Sequence, residues 1–272
     1  MNYRHDFHAG NFADCFKHAL LVALLDALTR KPAPFCVMDT HAGAGRYDLE
    51  SEAAQRTREA DSGIRRLLAA WPTPLHRFLD LVETLGVYPG SPTLTHALLR
   101  QHDRLVCCES QPDVVHGLRR VLRGDTRVHI HQRSGWEALG ALLPPPERRG
   151  LVFVDPPFEN PEEFQSLADG LAKTHERFAQ GIFAGWYPIK RLAAVRTFHA
   201  GIAQLGLRDI IAVELNLREP LDPSRLNGCG LIVVNPPYLF EPHARLIAEA
   251  VLAGLGPAEA GAGVNIVRLA DE

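Results

Sequence analysis

Several things are scarce in this 272-residue chain, and each scarcity excludes something. Cysteine is limited to Cys15, Cys36, Cys107, Cys108 and Cys229, an odd number without a Cys-x-x-Cys pair. Neither a disulfide framework nor a four-cysteine zinc site is expected. No uncharged apolar stretch reaches 18 residues: the richest run, Phe12 to Leu28, carries Asp14, Lys17 and Asp26, so no membrane span is expected. The opening MNYRHDFHAGN lacks the charged-then-apolar order of a secretion signal, and a reducing cytoplasm is the expected location. Positive charge is not in excess. With 29 Lys+Arg against 32 Asp+Glu the net charge is −3, which excludes a uniformly basic nucleic-acid coat but leaves room for a local basic patch. His-Glu-x-x-His is absent, and although His129 and His131 alternate on one strand face, surface histidines account better for the 13 present. No metal is expected. No internal repeat or low-complexity tail is found.

What remains is an ordinary globular composition, 46% apolar and 22% charged, read as one domain over 1–272. Phe12, Cys15, Phe16, Ala19, Leu20, Ala23, Leu24, Ala27 and Leu28 form a helical stripe, which Pro32 and Pro34 stop. Phe35 to Met38 reads as a buried strand ending at Asp39. Residues 47–87 read as a helical insertion of two amphipathic helices, roughly 51–70 and 75–85, split by Trp71-Pro72-Thr73-Pro74. Tyr88-Pro89-Gly90-Ser91-Pro92 reads as a rigid turn before a helix near 93–101. Strands then follow at 105–108, 128–131, 151–154, 181–186, 210–215, 231–234 and 264–269, with helices between most of them. This rhythm, with apolar runs that do not alternate, predicts an α/β fold: a parallel sheet covered by helices on both faces. No long exposed apolar stripe demands a partner, so a monomer is expected.

In such a sheet ligands bind beyond the carboxyl ends of the strands. The turn Asp39-Thr40-His41-Ala42-Gly43-Ala44-Gly45 offers glycines for close backbone approach, but it is not the dinucleotide fingerprint. Glu109 ends the next strand and can accept two hydrogen bonds from a ribose diol. Ser134-Gly135 ends another, and a hydroxyl there can meet the edge of an adenine ring. The sharpest feature is Asp155-Pro156-Pro157-Phe158, where an apolar strand stops at an acid and two prolines fix the backbone. The Asp155 carboxylate and the Pro156 carbonyl can accept from one NH2 group while the Phe158 ring stacks on the ring that bears it. Methylation of an exocyclic amine needs this arrangement, because the nitrogen lone pair is delocalised and orientation supplies much of the catalysis. Asn235-Pro236-Pro237-Tyr238 has the same form. The order of glycine turn, acidic end, Ser-Gly and Pro-Pro corner is met by 155–158 without permuting the chain, so Asp155 is assigned the chemistry and the later turn a place in the pocket wall. Tyr3, Arg4, His5, His8, Lys17 and His18 cluster near the start, either as a solvated cap or as a lid over cofactor and nucleic-acid backbone.

The segments YRHDFHAGNFADCFKH, DTHAGAGRY, YPGSP and DPPF, in that order, resemble the bacterial 23S ribosomal RNA adenine-N6 methyltransferase J family (RlmJ-like) over essentially the whole chain. The resemblance implies a Rossmann-like S-adenosylmethionine-dependent methyltransferase sheet with a small helical insertion. It implies transfer of a methyl group to N6 of one adenine in 23S ribosomal RNA; naked or partly assembled RNA is the expected substrate, because an internal base of a finished ribosome would be inaccessible. His18, His41, Ser91, Glu109, Ser134 and Gly135 would hold the cofactor, with Gly43, Gly45 and Asp155 alongside. Asp155 would be the catalytic acceptor with Pro156 and Phe158, and Tyr3, Arg4 and Lys17 would face the RNA. Ser134 stands where the family often has Asp, and Phe158 where it commonly has Tyr. DNA adenine-N6 and protein glutamine-amide methyltransferases use the same kind of corner and remain alternatives, as does an RNA-binding assembly factor without activity. A nicotinamide dehydrogenase is more distant, because the glycine fingerprint is incomplete.

Overall fold

The computed structural model describes residues 5–160 and 162–271. Tyr3 and Arg4 lie outside them. The chain opens with α1 (Phe12–Thr29) and β1 (Cys36–Asp39). The short strand β2 (Arg46–Tyr47) leads to α2 (Glu52–Thr57), α3 (Glu59–Ser62), α4 (Ile64–Ala70) and α5 (His76–Leu85), and then to β3 (Tyr88–Pro89). There follow α6 (Ser91–Leu98), β4 (Arg104–Glu109), α7 (Pro112–Val121), β5 (Val128–Gln132), α8 (Gly135–Ala141) and β6 (Gly150–Val154). The chain closes with α9 (Glu163–Arg177), β7 (Ile182–Ile189), α10 (Leu192–Ala203), β8 (Ile210–Asn216), β9 (Gly228–Val234), α11 (Phe240–Gly254) and β10 (Gly263–Ala270).

Eight strands form one sheet in the order β10-β8-β9-β7-β6-β1-β4-β5. From β5 to β7 neighbouring strands are parallel, as their apolar runs require of strands buried on both faces. The expectation of a wholly parallel sheet is corrected beyond β7: β9 runs antiparallel to both β7 and β8, and β10 antiparallel to β8. The cause lies in the connection. No helix separates β8 from β9, and parallel neighbours need a crossover of about a dozen residues or more, whereas antiparallel ones do not.

Two expectations for residues 47–89 are also corrected. The first expected helix is broken into α2, α3 and α4, with breaks at Arg58 (φ 53°) and Gly63. Gly63 lies against the loop before α1: a Cβ there would stand 2.1 Å from the Gly10 carbonyl, which accepts from Ile64 N–H at 2.8 Å. A continuous helix would collide with that loop. Tyr88-Pro89, read as a turn, is a strand paired antiparallel with Arg46-Tyr47, so the two ends of the helical segment are clasped together.

Helix α1 is buried nearly all round, which suits a helix inside a core. Asn11 caps it by accepting from Asp14 N–H at 2.9 Å. The burial of α1 includes Asp14, Lys17 and His18. Polar groups at such depth need partners, and these three find theirs beside the strand ends.

Candidate active site

Asp155 follows β6 at the carboxyl edge of the sheet. Its Oδ2 lies 2.6 Å from Lys17 Nζ, which also lies 2.8 Å from Asp14 Oδ1. Asp14 Oδ2 in turn meets His5 Nε2 at 2.9 Å and accepts from Gly10 N–H at 2.9 Å. Burial alone would raise the Asp14 pKa, but the positive charge of His5 and Lys17 outweighs it and holds the carboxyl well below the usual range. Lys17 was expected to face the RNA. Its side chain is only 6% exposed and lies between the carboxylates of Asp14 and Asp155.

Phe158 adopts the left-handed backbone region (φ 50°), so the corner turns its ring back over the sheet. It meets Trp186 edge-on at 5.7 Å and Phe164 at 5.0 Å between centroids. Trp186 lies on β7 one step past the Val154–Gly185 pair, level with Asp155, and Lys17 Nζ sits 5.6 Å from its ring centre. Pro156 is buried and Phe158 half-buried. Trp186 was not picked from the sequence, because an aromatic inside an apolar strand carries no mark distinguishing it from core.

The neighbouring strand ends converge. Glu109, at the end of β4, accepts from Gly43 N–H at 3.1 Å and from Gln111 N–H at 2.8 Å, which fixes its carboxylate across the glycine turn. The Gly45 carbonyl accepts from Gly90 N–H at 2.8 Å and from Thr93 Oγ1 at 2.6 Å, tying the glycine turn to the start of α6. Ser134 caps α8 by position, and its side chain makes no capping bond. A Cβ on Gly135 would stand 2.2 Å from the Thr40 carbonyl, so the β1 and β5 loops touch there backbone to backbone. His41 stacks edge-on against Trp136 at 5.1 Å, and burial lowers its pKa to about 4. Burial likewise lowers His18 to about 3, and its Nδ1 pairs with the Tyr88 hydroxyl at 3.0 Å. Both rings are neutral at pH 7 and able to offer a polar nitrogen.

Asp39 is the site residue the sequence left without a role. It is 1% exposed, and its Oδ2 has no hydrogen-bond partner among the described residues. Burial is the main cause of a pKa raised to about 7; the nearby Asp155 and Glu109 add to it, while Ser91 and the His41 N–H oppose it. Its only sequence signal was its place at a strand end.

Asn235 does not join this group. Because β9 is antiparallel to β7, with Val234 opposite Phe183, its carboxyl end lies at the opposite edge of the sheet. Asn235 Nδ2 donates to the Ala179 and Gly181 carbonyls, both at 2.8 Å, so it ties a loop there. The expected place of the 235–238 turn in the pocket wall is therefore corrected. His129 and His131, with Cys36, Arg104 and Phe178, line a cavity of about 270 Å³ that shares no residue with the strand-end site. Among the described residues no group of three His, Cys, Asp or Glu could hold a metal ion.

A largely parallel sheet with acids and glycine turns at its carboxyl edge defines a Rossmann-like α/β protein with its ligand site at the strand ends. The model of the family described as "Ribosomal RNA large subunit methyltransferase D, RlmJ" matches residues 32–267, and the chain belongs to this family. It is 36% identical to "Ribosomal RNA large subunit methyltransferase J" of Escherichia coli and 33% identical to the protein of the same name from Haemophilus influenzae, covering 96% of each chain in both cases. The crystal structure of protein LPL1258 of Legionella pneumophila is similar, with a TM-score of 0.88, 32% identity and coverage of 96% of this chain and 98% of that one.

Proposed function

We propose that the protein transfers a methyl group from S-adenosylmethionine to N6 of an adenine in 23S ribosomal RNA. The observation that carries this is the Asp155 corner. A carboxylate fixed by a buried lysine at 2.6 Å, with Pro156 next in the chain, stands beside the rings of Phe158 and Trp186.

The strand-end residues fit the cofactor. Glu109 has a fixed carboxylate for a ribose diol, and Gly135 leaves no side chain between the loops that would flank an adenine. The orphaned Oδ2 of Asp39 offers an acceptor for a cation. Neutral His18 and His41, with Ser91 at the start of α6, supply further polar contacts. When bound, the cofactor supplies an electrophilic methyl group on a sulfonium. The protein's part is orientation. Asp155 and the Pro156 carbonyl accept the two N6 hydrogens, which turns the nitrogen lone pair toward the methyl group. The target base leaves its stack to reach the corner, and Phe158 replaces part of the lost stacking. On taking the methyl group, N6 would give up one of the two hydrogens held by Asp155 and the Pro156 carbonyl, as a proton passed to solvent, leaving neutral N6-methyladenine. Naked or partly assembled RNA is the fitting form, because an internal base of a finished ribosome is enclosed.

The test is transfer of tritiated methyl from S-adenosylmethionine to unmodified 23S RNA, with DNA and protein offered in parallel and the modified base located by mass spectrometry. Label on adenine N6 in RNA alone is expected, and Asp155→Ala should abolish it while cofactor binding persists. Label on DNA or protein in preference to RNA would overturn the reading.

A further inference from the structure

The helical segment 47–87 is a poor holder of phosphate. It has seven carboxylates (Asp48, Glu50, Glu52, Glu59, Asp61, Asp80 and Glu83) against five arginines. Arg56 pairs with Glu52, Arg58 with Asp61, Arg65 with Glu50 and Asp61, and Arg77 with Asp26. An RNA backbone laid there would meet a net negative surface.

The opposite holds on the other side of Asp155. From Arg177 to Arg208 the chain contains no Asp or Glu. Within that stretch Lys190, Arg191 and Arg196 are exposed, and no described carboxylate lies in ion-pair contact with them. The topology puts them over the site. β7 stays paired with β6 only to Gly185, level with Val154, yet continues to Ile189 beside Gly228 of β9. This extension forms a wall rising past the Asp155 corner. Lys190 and Arg191 crown it, roughly 13 Å beyond Trp186 at the rise of an extended strand. α10 then begins at Leu192, with no acidic residue in its first turn and no side-chain cap, so its free N–H groups add positive potential at the same rim. Arg196 lies one turn further along it.

The rim is braced. Asn227, fully buried, donates from Nδ2 to the Lys190 carbonyl at 3.2 Å and to the Asp222 carbonyl at 2.7 Å. Its N–H donates to the Ile189 carbonyl at 3.1 Å. The loop 217–227 is thereby fastened to the crown of the wall. Of the acids on that loop and its neighbour, Asp222 accepts from Ser224 and Glu259 pairs with Arg218, with Arg225 lowering the pKa of both, while Glu219 is exposed and its N–H donates to the Ala260 carbonyl.

We infer that Lys190, Arg191 and Arg196 form the surface that grips the RNA phosphates flanking the extruded adenine. This rests on the RNA methyltransferase reading above and names where its substrate backbone runs. Cations with no carboxylate in ion-pair contact displace condensed counterions from the RNA when phosphates bind, whereas Arg56, Arg58, Arg65 and Arg77 must first give up their partners.

The test is binding of unmodified 23S RNA transcript as a function of salt, with methyl transfer measured alongside. The triple variant Lys190→Gln, Arg191→Gln, Arg196→Gln should bind at least tenfold more weakly at moderate salt. Its log–log salt slope should fall by about 2, at about 0.7 for each lost contact to a single strand. Arg196→Gln alone should give about a third of the slope change. Cofactor affinity and melting temperature should stay at the parent values, because all three side chains are exposed. The double variant Arg56→Gln, Arg58→Gln should bind as the parent does. A triple variant with the parent's affinity and slope would overturn the inference, as would an equal loss in the double variant. A parent protein that binds RNA but transfers no methyl group would instead overturn the activity and leave the rim intact.

Discussion

The ammonium of Lys17 sits 2.6 Å from Oδ2 of Asp155, joining the first long helix to the end of β6 across the floor of the candidate site. Helix α1 is thus more than core. Its stripe of alanines and leucines buries it under the sheet, and that burial brings Asp14 and Lys17 against the one strand end that needs a fixed acceptor. Asp14, its pKa held well below the usual range, links His5 of the N-terminal segment to Lys17 and so to Asp155.

Replacing Lys17 with Met is therefore expected to cost both rate and stability. Asp155 loses the group that aims it, and Asp14 keeps a buried charge with less compensation. Breaking a buried pair from one side costs about 3 kcal/mol. A fall in kcat of at least about a hundredfold is expected, with cofactor affinity within a few-fold of the parent, as read by single-turnover transfer and calorimetry. A variant that kept the parent's kcat while melting lower would make Lys17 purely structural.

The contact between Gly135 and Thr40 makes a second prediction. The added methyl of Gly135→Ala would fall 2.2 Å from a carbonyl oxygen. Thr40 cannot readily withdraw, since its N–H and Oγ1 both donate to the Phe153 carbonyl, at 3.0 and 3.1 Å. The β1 and β5 loops must part, at a cost of about 1–3 kcal/mol in stability. Cofactor affinity should fall at least tenfold in calorimetry, and an unchanged Kd would remove this contact from the pocket.

The two Pro-Pro corners separate cleanly by experiment. Asp155→Asn keeps one acceptor oxygen but gives up the ion pair with Lys17, and it should lose most transfer. Asn235→Ala should transfer methyl at the parent rate and be less stable to unfolding by about 1–2 kcal/mol, because two hydrogen bonds are lost and alanine tolerates the left-handed backbone less well than asparagine. Transfer that failed in both variants would bring the second corner back into the site.

Much of the fold was legible in the sequence, because a buried parallel strand announces itself as an apolar run, and Asp39, Glu109 and Asp155 do stand at the carboxyl ends of β1, β4 and β6. The direction of β9 was not, since an apolar run looks alike in either sense; only its pairing with β7 shows that Asn235 points to the far edge. The Lys17–Asp155 pair spans most of a fold's worth of chain, and no periodicity within α1 distinguishes an inward lysine from a solvated one. The breaks at Arg58 and Gly63 are set by the Gly10 loop packed against them, a tertiary contact that local helix propensity does not contain.

Asp39 carries the pH dependence. Its folded pKa, raised to about 7 chiefly by burial, exceeds its ordinary value of 3.8. Between those values the folded protein binds a proton that the unfolded chain has released, so this contribution to stability is full below about pH 4 and is lost as pH rises through about 7. The slope approaches about 1.4 kcal/mol per pH unit inside that window, and Asp39→Asn should flatten it in chemical denaturation curves taken from pH 5 to 8. A cation bound against Oδ2 would favour the ionised form. Cofactor binding near pH 6.5 should then release a fraction of a proton, seen as a binding enthalpy that changes with the ionisation enthalpy of the buffer. Asp39→Asn should abolish that dependence. If the parent and the variant show the same buffer dependence, Asp39 is not the group that meets the cofactor's charge.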